Sequence, residues 1–113
     1  MHEVGIMQEA VNLAEDSARA HGGGRIRALT LRVGALSGAV PEALEFAFEA
    51  VAVGTLAEGA TLSIQAVPAR WWCATCAEEF ANDDPLAACP RCQTWSGELR
   101  GGRELELSTL ELS

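Results

Sequence analysis

CATCAEEFANDDPLAACPRC, residues 73–92, contains all 4 cysteines of a 113-residue chain. Cys73 and Cys76 form one pair and Cys89 and Cys92 the other, with twelve residues between the pairs. Two such knuckles put four thiolates where one tetrahedral ion can take them all, each pair presented by a tight turn. Disulfides are the bland alternative, which a reducing compartment disfavours. No histidine stands near the knuckles. The four thiolates therefore leave no open coordination position. Closed sites of this kind hold shape, whereas catalytic zinc keeps one position for water. Iron in a rubredoxin-like centre also accepts four thiolates and is the competing metal. The ribbon-like gap and the lack of a second redox element favour zinc.

Residues 69–101 form the expected zinc-ribbon domain. This stretch contains all 3 tryptophans (Trp71, Trp72 and Trp95) together with Pro85 and Pro90, and shows little apolar periodicity. About thirty residues bury too little surface to fold alone, so a bound metal must hold them. The tryptophans are expected to form a miniature core that shields the thiolates, and Arg91, inside the second knuckle, to offset their negative charge.

On either side the chain reads as regular structure. Residues 5–20 carry Ile6, Ala10, Leu13, Ala14 and Ser17 at helical spacing, with Met7 and Val11 widening the stripe. His21 and Gly22–Gly24 end that helix, the histidine complementing the helix dipole. Residues 25–33 alternate as a strand with Arg27, Leu29, Leu31 and Val33 on one face. After a turn, Pro41 opens a second helix whose stripe is Leu44, Ala47, Phe48 and Val51, with Glu42, Glu45 and Glu49 opposite. Residues 62–67 form a short strand that Pro68 stops. Residues 104–112 alternate again, with a phase shift near Ser108–Thr109 where a bulge fits. The expected fold is α+β. Two helices pack on a small mixed sheet, the four-cysteine module is an insertion, and the last strand rejoins the core. The first domain then comprises residues 1–68 and 102–113.

Composition narrows the function. The formal net charge is −8, from 16 acidic residues and 8 basic ones, all of them arginine and scattered along the chain. Zinc ribbons often bind nucleic acid, but phosphate recognition needs clustered positive charge, so no nucleic-acid partner is expected. Without a lysine the glycine run cannot serve a Walker-type nucleotide site. No apolar run is long enough to span a membrane, and no secretory leader is evident, so a cytoplasmic protein is expected. Two histidines and no cysteine outside the knuckles leave little from which to build a catalytic centre.

The opening Met1-His2-Glu3 offers a second metal chemistry. The imidazole of His2, its backbone nitrogen and the amine of Met1 can chelate one ion through fused rings. A planar, nitrogen-rich set suits Ni(II) or Cu(II). Glu3 supplies a candidate further donor through its backbone or carboxylate. The amide must lose its proton, so affinity falls with acid. Read alone, a histidine at position two is also an ordinary solvated residue.

MHEVGIMQEAVNLAE (1–15), RIRALTLRVGALSGAVPEALEFAFEAVAVGT (25–55) and the knuckles CATC and CPRC together resemble the HypA/HybF family of nickel metallochaperones in [NiFe]-hydrogenase maturation. The resemblance covers essentially the whole chain. It implies nickel bound through His2, with Met1 by its terminal amine and Glu3 contributing, and structural zinc on Cys73, Cys76, Cys89 and Cys92. It also implies an accessory protein rather than an enzyme. Its partners would be a HypB-type GTPase and the [NiFe]-hydrogenase large subunit. Some family members carry histidines beside the knuckles; this chain has none there. A zinc-ribbon adaptor that binds protein or nucleic acid is the alternative function.

Overall fold

A computed structural model describes residues 3–113. In chain order the elements are α1 (Glu3–Ala20), β1 (Ile26–Gly34), α2 (Pro41–Val51), β2 (Thr61–Val67), β3 (Arg70–Cys73), β4 (Glu78–Ala81), β5 (Leu99–Gly101) and β6 (Leu105–Leu112). They divide between two three-stranded sheets, ordered β2-β1-β6 and β4-β3-β5. The last strand does rejoin the first, because β6 lies beside β1. The chain folds into two compact units. One comprises residues 1–32, 39–65 and 106–113, the other 33–38 and 66–105.

The first unit is built on apolar burial. Helix α1 buries Met7, Ala10, Val11, Ala14 and Ala18, a stripe rotated by about one residue from the expected one. Ile6 and Ser17 are only half-buried, and Leu13 is 54% exposed. The small residues Ala10, Ala14 and Ala18 win the inner face because they allow close approach. In α2 the buried set is Leu44, Ala47 and Phe48, followed by Ala52, and the two helices pack on each other. Strand β1 adds Ile26, Leu29 and Leu31, all under 3% exposed. Arg27 does not join that face. It is exposed and pairs with Glu111 at 3.9 Å, because a guanidinium has no partner in an apolar core. In β6 the half-buried leucines alternate until Ser108 and Thr109, both exposed, after which the phase flips.

Chain ends and turns follow local chemistry. Gly22 and Gly23 take positive φ (109° and 75°), and Gly23 N–H donates to the Ala18 carbonyl at 2.7 Å, closing α1 as a glycine C-cap does. His21 Nδ1 lies 2.8 Å from the Ser17 carbonyl oxygen and satisfies another terminal acceptor. Helix α2 starts differently. Val40, its N-cap, is extended and contributes no side-chain cap. Its N–H donates instead to Glu3 Oε2 at 3.2 Å. A capping-box glutamate would make this bond from within the helix; here it comes from the first turn of α1.

The second unit depends on contacts between main-chain atoms. Ala35 N–H donates to Val67 O at 2.9 Å and Leu36 N–H to Gly102 O at 2.7 Å. A Cβ at Gly34 would sit 2.1 Å from the Gly102 carbonyl oxygen, and one at Gly102 would sit 2.6 Å from Ala69 Cα. Only residues without side chains permit that approach.

Candidate metal centre

Strand β3 carries Trp71, Trp72 and Cys73 into the first knuckle and pairs antiparallel with both β4 and β5. No apolar alternation marks these three short strands in the sequence. Their residues are a mixture of aromatic, charged and small side chains whose pairing is decided by the turns between them. Cys73 and Cys89 are buried, at 3% and 2% exposure, while Cys76 and Cys92 are half-buried.

The four sulfurs converge. All four Sγ atoms lie within 4.8 Å of one another, with Cys73–Cys92 at 3.5 Å and Cys76–Cys89 at 3.9 Å. A tetrahedral ion with sulfur ligands at about 2.3 Å requires sulfur–sulfur edges of roughly 3.8 Å. The cage fits such an ion with all of its ligands in place. The cysteines are free thiols, not disulfides.

The two knuckles are wound alike. The residue after the second cysteine of each is left-handed without being glycine: Ala77 has φ 53° and Gln93 φ 65°. Such a conformation costs an L-residue about 1–2 kcal/mol. It lets the preceding turn aim backbone N–H groups at sulfur, as Cys76 N–H does toward Cys73 Sγ at 3.4 Å. Around the second knuckle Cys89 N–H donates to Thr94 O and Gln93 N–H to Cys89 O, at 2.9 and 2.8 Å.

Without a metal the thiols are unequal. Hydrogen bonds from the Thr94 side chain and backbone lower Cys92 to about 6. Cys76, which shares its proton with Cys92 and is further disfavoured as a thiolate by desolvation, is pushed up to about 12. Arg91 is held protonated chiefly by its hydrogen bond to Glu78 and only secondarily by the field of Cys76. The ion pair with Glu78 thus takes much of the charge that was expected to balance the cage.

The tryptophans separate into three roles. Trp71 is 5% exposed and its Nε1–H donates to the Asn82 carbonyl at 2.7 Å. Trp72 is half-buried beneath the Arg100 guanidinium, 4.6 Å above the ring centroid. Trp95 is 65% exposed and forms no part of the expected miniature core. Its residue is fixed by an antiparallel bridge to Ala88, which turns the indole outward.

Of the N-terminal candidates, Met1 and His2 lie outside the described residues. Glu3 begins α1, and its carboxylate accepts the Val40 N–H. Sequence reasoning missed this bond. Its only signal was the absence of a capping side chain at Val40, just before Pro41. Among the described residues the four cysteines are the one cluster of three or more histidine, cysteine or carboxylate groups able to hold a metal ion.

A family model described as "Hydrogenase/urease nickel incorporation, metallochaperone, hypA" matches residues 1–112. The chain belongs to the HypA family. Hydrogenase maturation factor HypA of Picosynechococcus sp. is 49% identical over 112 residues, 99% of each chain. That of Geobacter sulfurreducens is 46% identical over the same length, again 99% of each. The solution structure of the nickel metallochaperone HypA from Helicobacter pylori shares the fold at a TM-score of 0.69 and 22% identity, covering 99% of this chain and 97% of that one. The expected α+β arrangement, two helices with small mixed sheets and a clustered four-cysteine site, agrees with these HypA structures. HypA proteins are metallochaperones that act in hydrogenase maturation. No helix among the described residues is long and apolar enough to cross a membrane.

Proposed function

We propose that this chain carries Ni(II) at its N-terminus, on the Met1 amine, His2 and Glu3, and keeps zinc in the four-cysteine cage as a structural ion. The observation that supports this division best is the completeness of the cage. Four sulfurs within 4.8 Å of one another already saturate a tetrahedral ion. A cargo ion that must enter and leave needs a different, more open donor set. Soft thiolates suit zinc, whereas an amine, a deprotonated amide and an imidazole suit square-planar nickel.

In this reading the chain is an accessory protein and catalyses no reaction of its own. It works in the cytoplasm with a HypB-type GTPase and passes nickel to the [NiFe]-hydrogenase large subunit. Zinc holds the ribbon, while the chain end exchanges its ligands. Membership of a family described by nickel incorporation supports the cargo, and the acidic balance of −8 suits cation handling.

Titration of the purified protein with Ni(II), beside a His2→Ala variant, tests the proposal. Wild type should bind nickel stoichiometrically with a square-planar absorption band, and the variant should lose it while retaining its zinc. Equal nickel binding by both proteins would refute the N-terminal site.

A further inference from the structure

The first unit leaves a groove open between its two helices. At one end a cavity of about 560 Å³ is lined by Glu3, Val4, Gly5, Ala43, Phe46 and Ala47. The small residues there leave room for an inserted side chain. Phe46 is 78% exposed and Val4 52%, although both are large and apolar. Further along the same helices a second cavity, about 400 Å³, is bordered by Gln8, Asn12, Ala50 and Thr55. From Val4 to Asn12 the helix rises about 12 Å, some two turns. The groove is therefore apolar at one end and, with Val11 and Val51 beside Gln8, Asn12 and Thr55, mixed at the other.

Charge selects what can lie in it. Helix α2 has Glu42, Glu45 and Glu49 and no basic residue. Glu42 and Glu49 lie four residues before and three residues after Phe46, on the same helical face, and both are exposed. The first three turns of α1 contain Glu3 and Glu9 but no arginine; Arg19, in the last turn, pairs with Glu15 and Asp16. A second copy of this chain would set these carboxylates against themselves. An apolar side chain flanked by lysine or arginine would satisfy both the cavity and the carboxylates one turn to either side of Phe46.

We propose that the α1–α2 groove docks a two-turn amphipathic helix of a partner protein, with one large apolar residue seated beside Phe46 and basic residues on Glu42 and Glu49. This is the helix-in-groove mode of recognition, with an aromatic anchor of the type that dominates such interfaces. The inference deepens the nickel-delivery reading and rests on it for its biological sense. The apolar end of the groove includes Glu3, one of the proposed nickel donors, so a docked partner would lie next to the cargo.

The test places p-benzoylphenylalanine at position 46 in the full chain, within cells that assemble a nickel hydrogenase, and at exposed Ser63 as a control. After irradiation, the captured segment is identified by mass spectrometry. A helical segment with an apolar residue and a lysine or arginine within one turn supports the groove. Its cross-linking yield should fall severalfold in an E42Q/E49Q background. For any partner thus identified, Phe46→Ser should weaken binding of the purified pair by roughly tenfold to a hundredfold. The proposal is overturned by capture no greater than at position 63, by capture of a second copy of this chain, or by an acidic or uncharged segment. Unchanged yield with E42Q/E49Q, or unchanged affinity with Phe46→Ser, overturns it equally. The outcomes separate the two readings. A basic amphipathic helix from a protein unrelated to nickel delivery keeps the groove and removes its link to delivery. The His2→Ala titration judges the nickel site on its own.

Discussion

The two units of this chain solve the same problem with different materials. The first buries Met7, Val11, Leu29, Leu31 and Leu44 almost completely. The second buries one tryptophan, Val33 and Val67, a few small residues and the side chains of Cys73 and Cys89. Apolar area does in the first what, on the proposed reading, coordinate bonds to zinc would do in the second. The contrast shows how a short chain can include a segment too poor in large side chains to fold by burial.

The sharpest way to break that contrast is to empty the cage of its proposed zinc. All 3 tryptophans lie between residues 71 and 95 and both helices end by residue 51. Tryptophan emission therefore follows the second unit and helical ellipticity the first. If the cage holds zinc as proposed, Cys73→Ser, or a strong chelator, should unfold the ribbon, since structural zinc supplies on the order of 10–16 kcal/mol in such units. Indole emission should shift to that of solvated tryptophan while the helical signal stays. Simultaneous loss of both signals would show that the helical unit depends on the cage.

The converse experiment is Leu29→Ala. Leu29 is 1% exposed in β1, and truncating such a residue costs about 2–5 kcal/mol. The thermal midpoint of the helical signal should fall while zinc content is unchanged. A smaller loss is expected from Gly34→Ala. Its new methyl would lie 2.1 Å from the Gly102 carbonyl oxygen, and overpacking of this kind costs about 1–3 kcal/mol. The tryptophan transition should register it; an unshifted midpoint would mean that the crossing relaxes freely.

Much of this contrast was legible beforehand. The second helix stripe, the return of the last strand and the convergence of the cysteines all followed from spacing, because periodicity and ligand geometry are local rules. The rotation of the α1 stripe was not legible. Leu13 is more apolar than Ala18, yet close packing on the partner helix prefers the smaller side chain. The exposure of Trp95 escaped for a similar reason: a single bridge to Ala88, invisible in composition, decides which way the indole points. The Glu3–Val40 bond joins residues 37 apart, and no pattern within either helix encodes it.

Proton release sharpens the comparison within the cage itself. Cys92, lowered to about 6 by Thr94, favours its thiolate in the fold. Its contribution is present above the ordinary thiol value of 9.0 and fades as pH falls through about 6. Cys76, raised to about 12, behaves oppositely: it favours the neutral thiol, and that contribution disappears as pH climbs toward 12.

The smallest effect belongs to the surface. Arg27 and Glu111, each 64% exposed and 3.9 Å apart, form a pair of the kind worth at most about 1 kcal/mol. Arg27→Ala should leave both transitions within about 0.5 kcal/mol of wild type by chemical denaturation. A larger shift would show that this face of the sheet matters beyond a weak surface pair.

Ala77 and Gln93 sit at matching posts behind the two knuckles in a backbone conformation that neither prefers. Once the ion departs, little opposes the recoil of both turns toward ordinary dihedrals. On the proposed zinc reading an emptied ribbon would unwind and open to proteases, so breakdown of the polypeptide would report whether the sulfur ligands are filled.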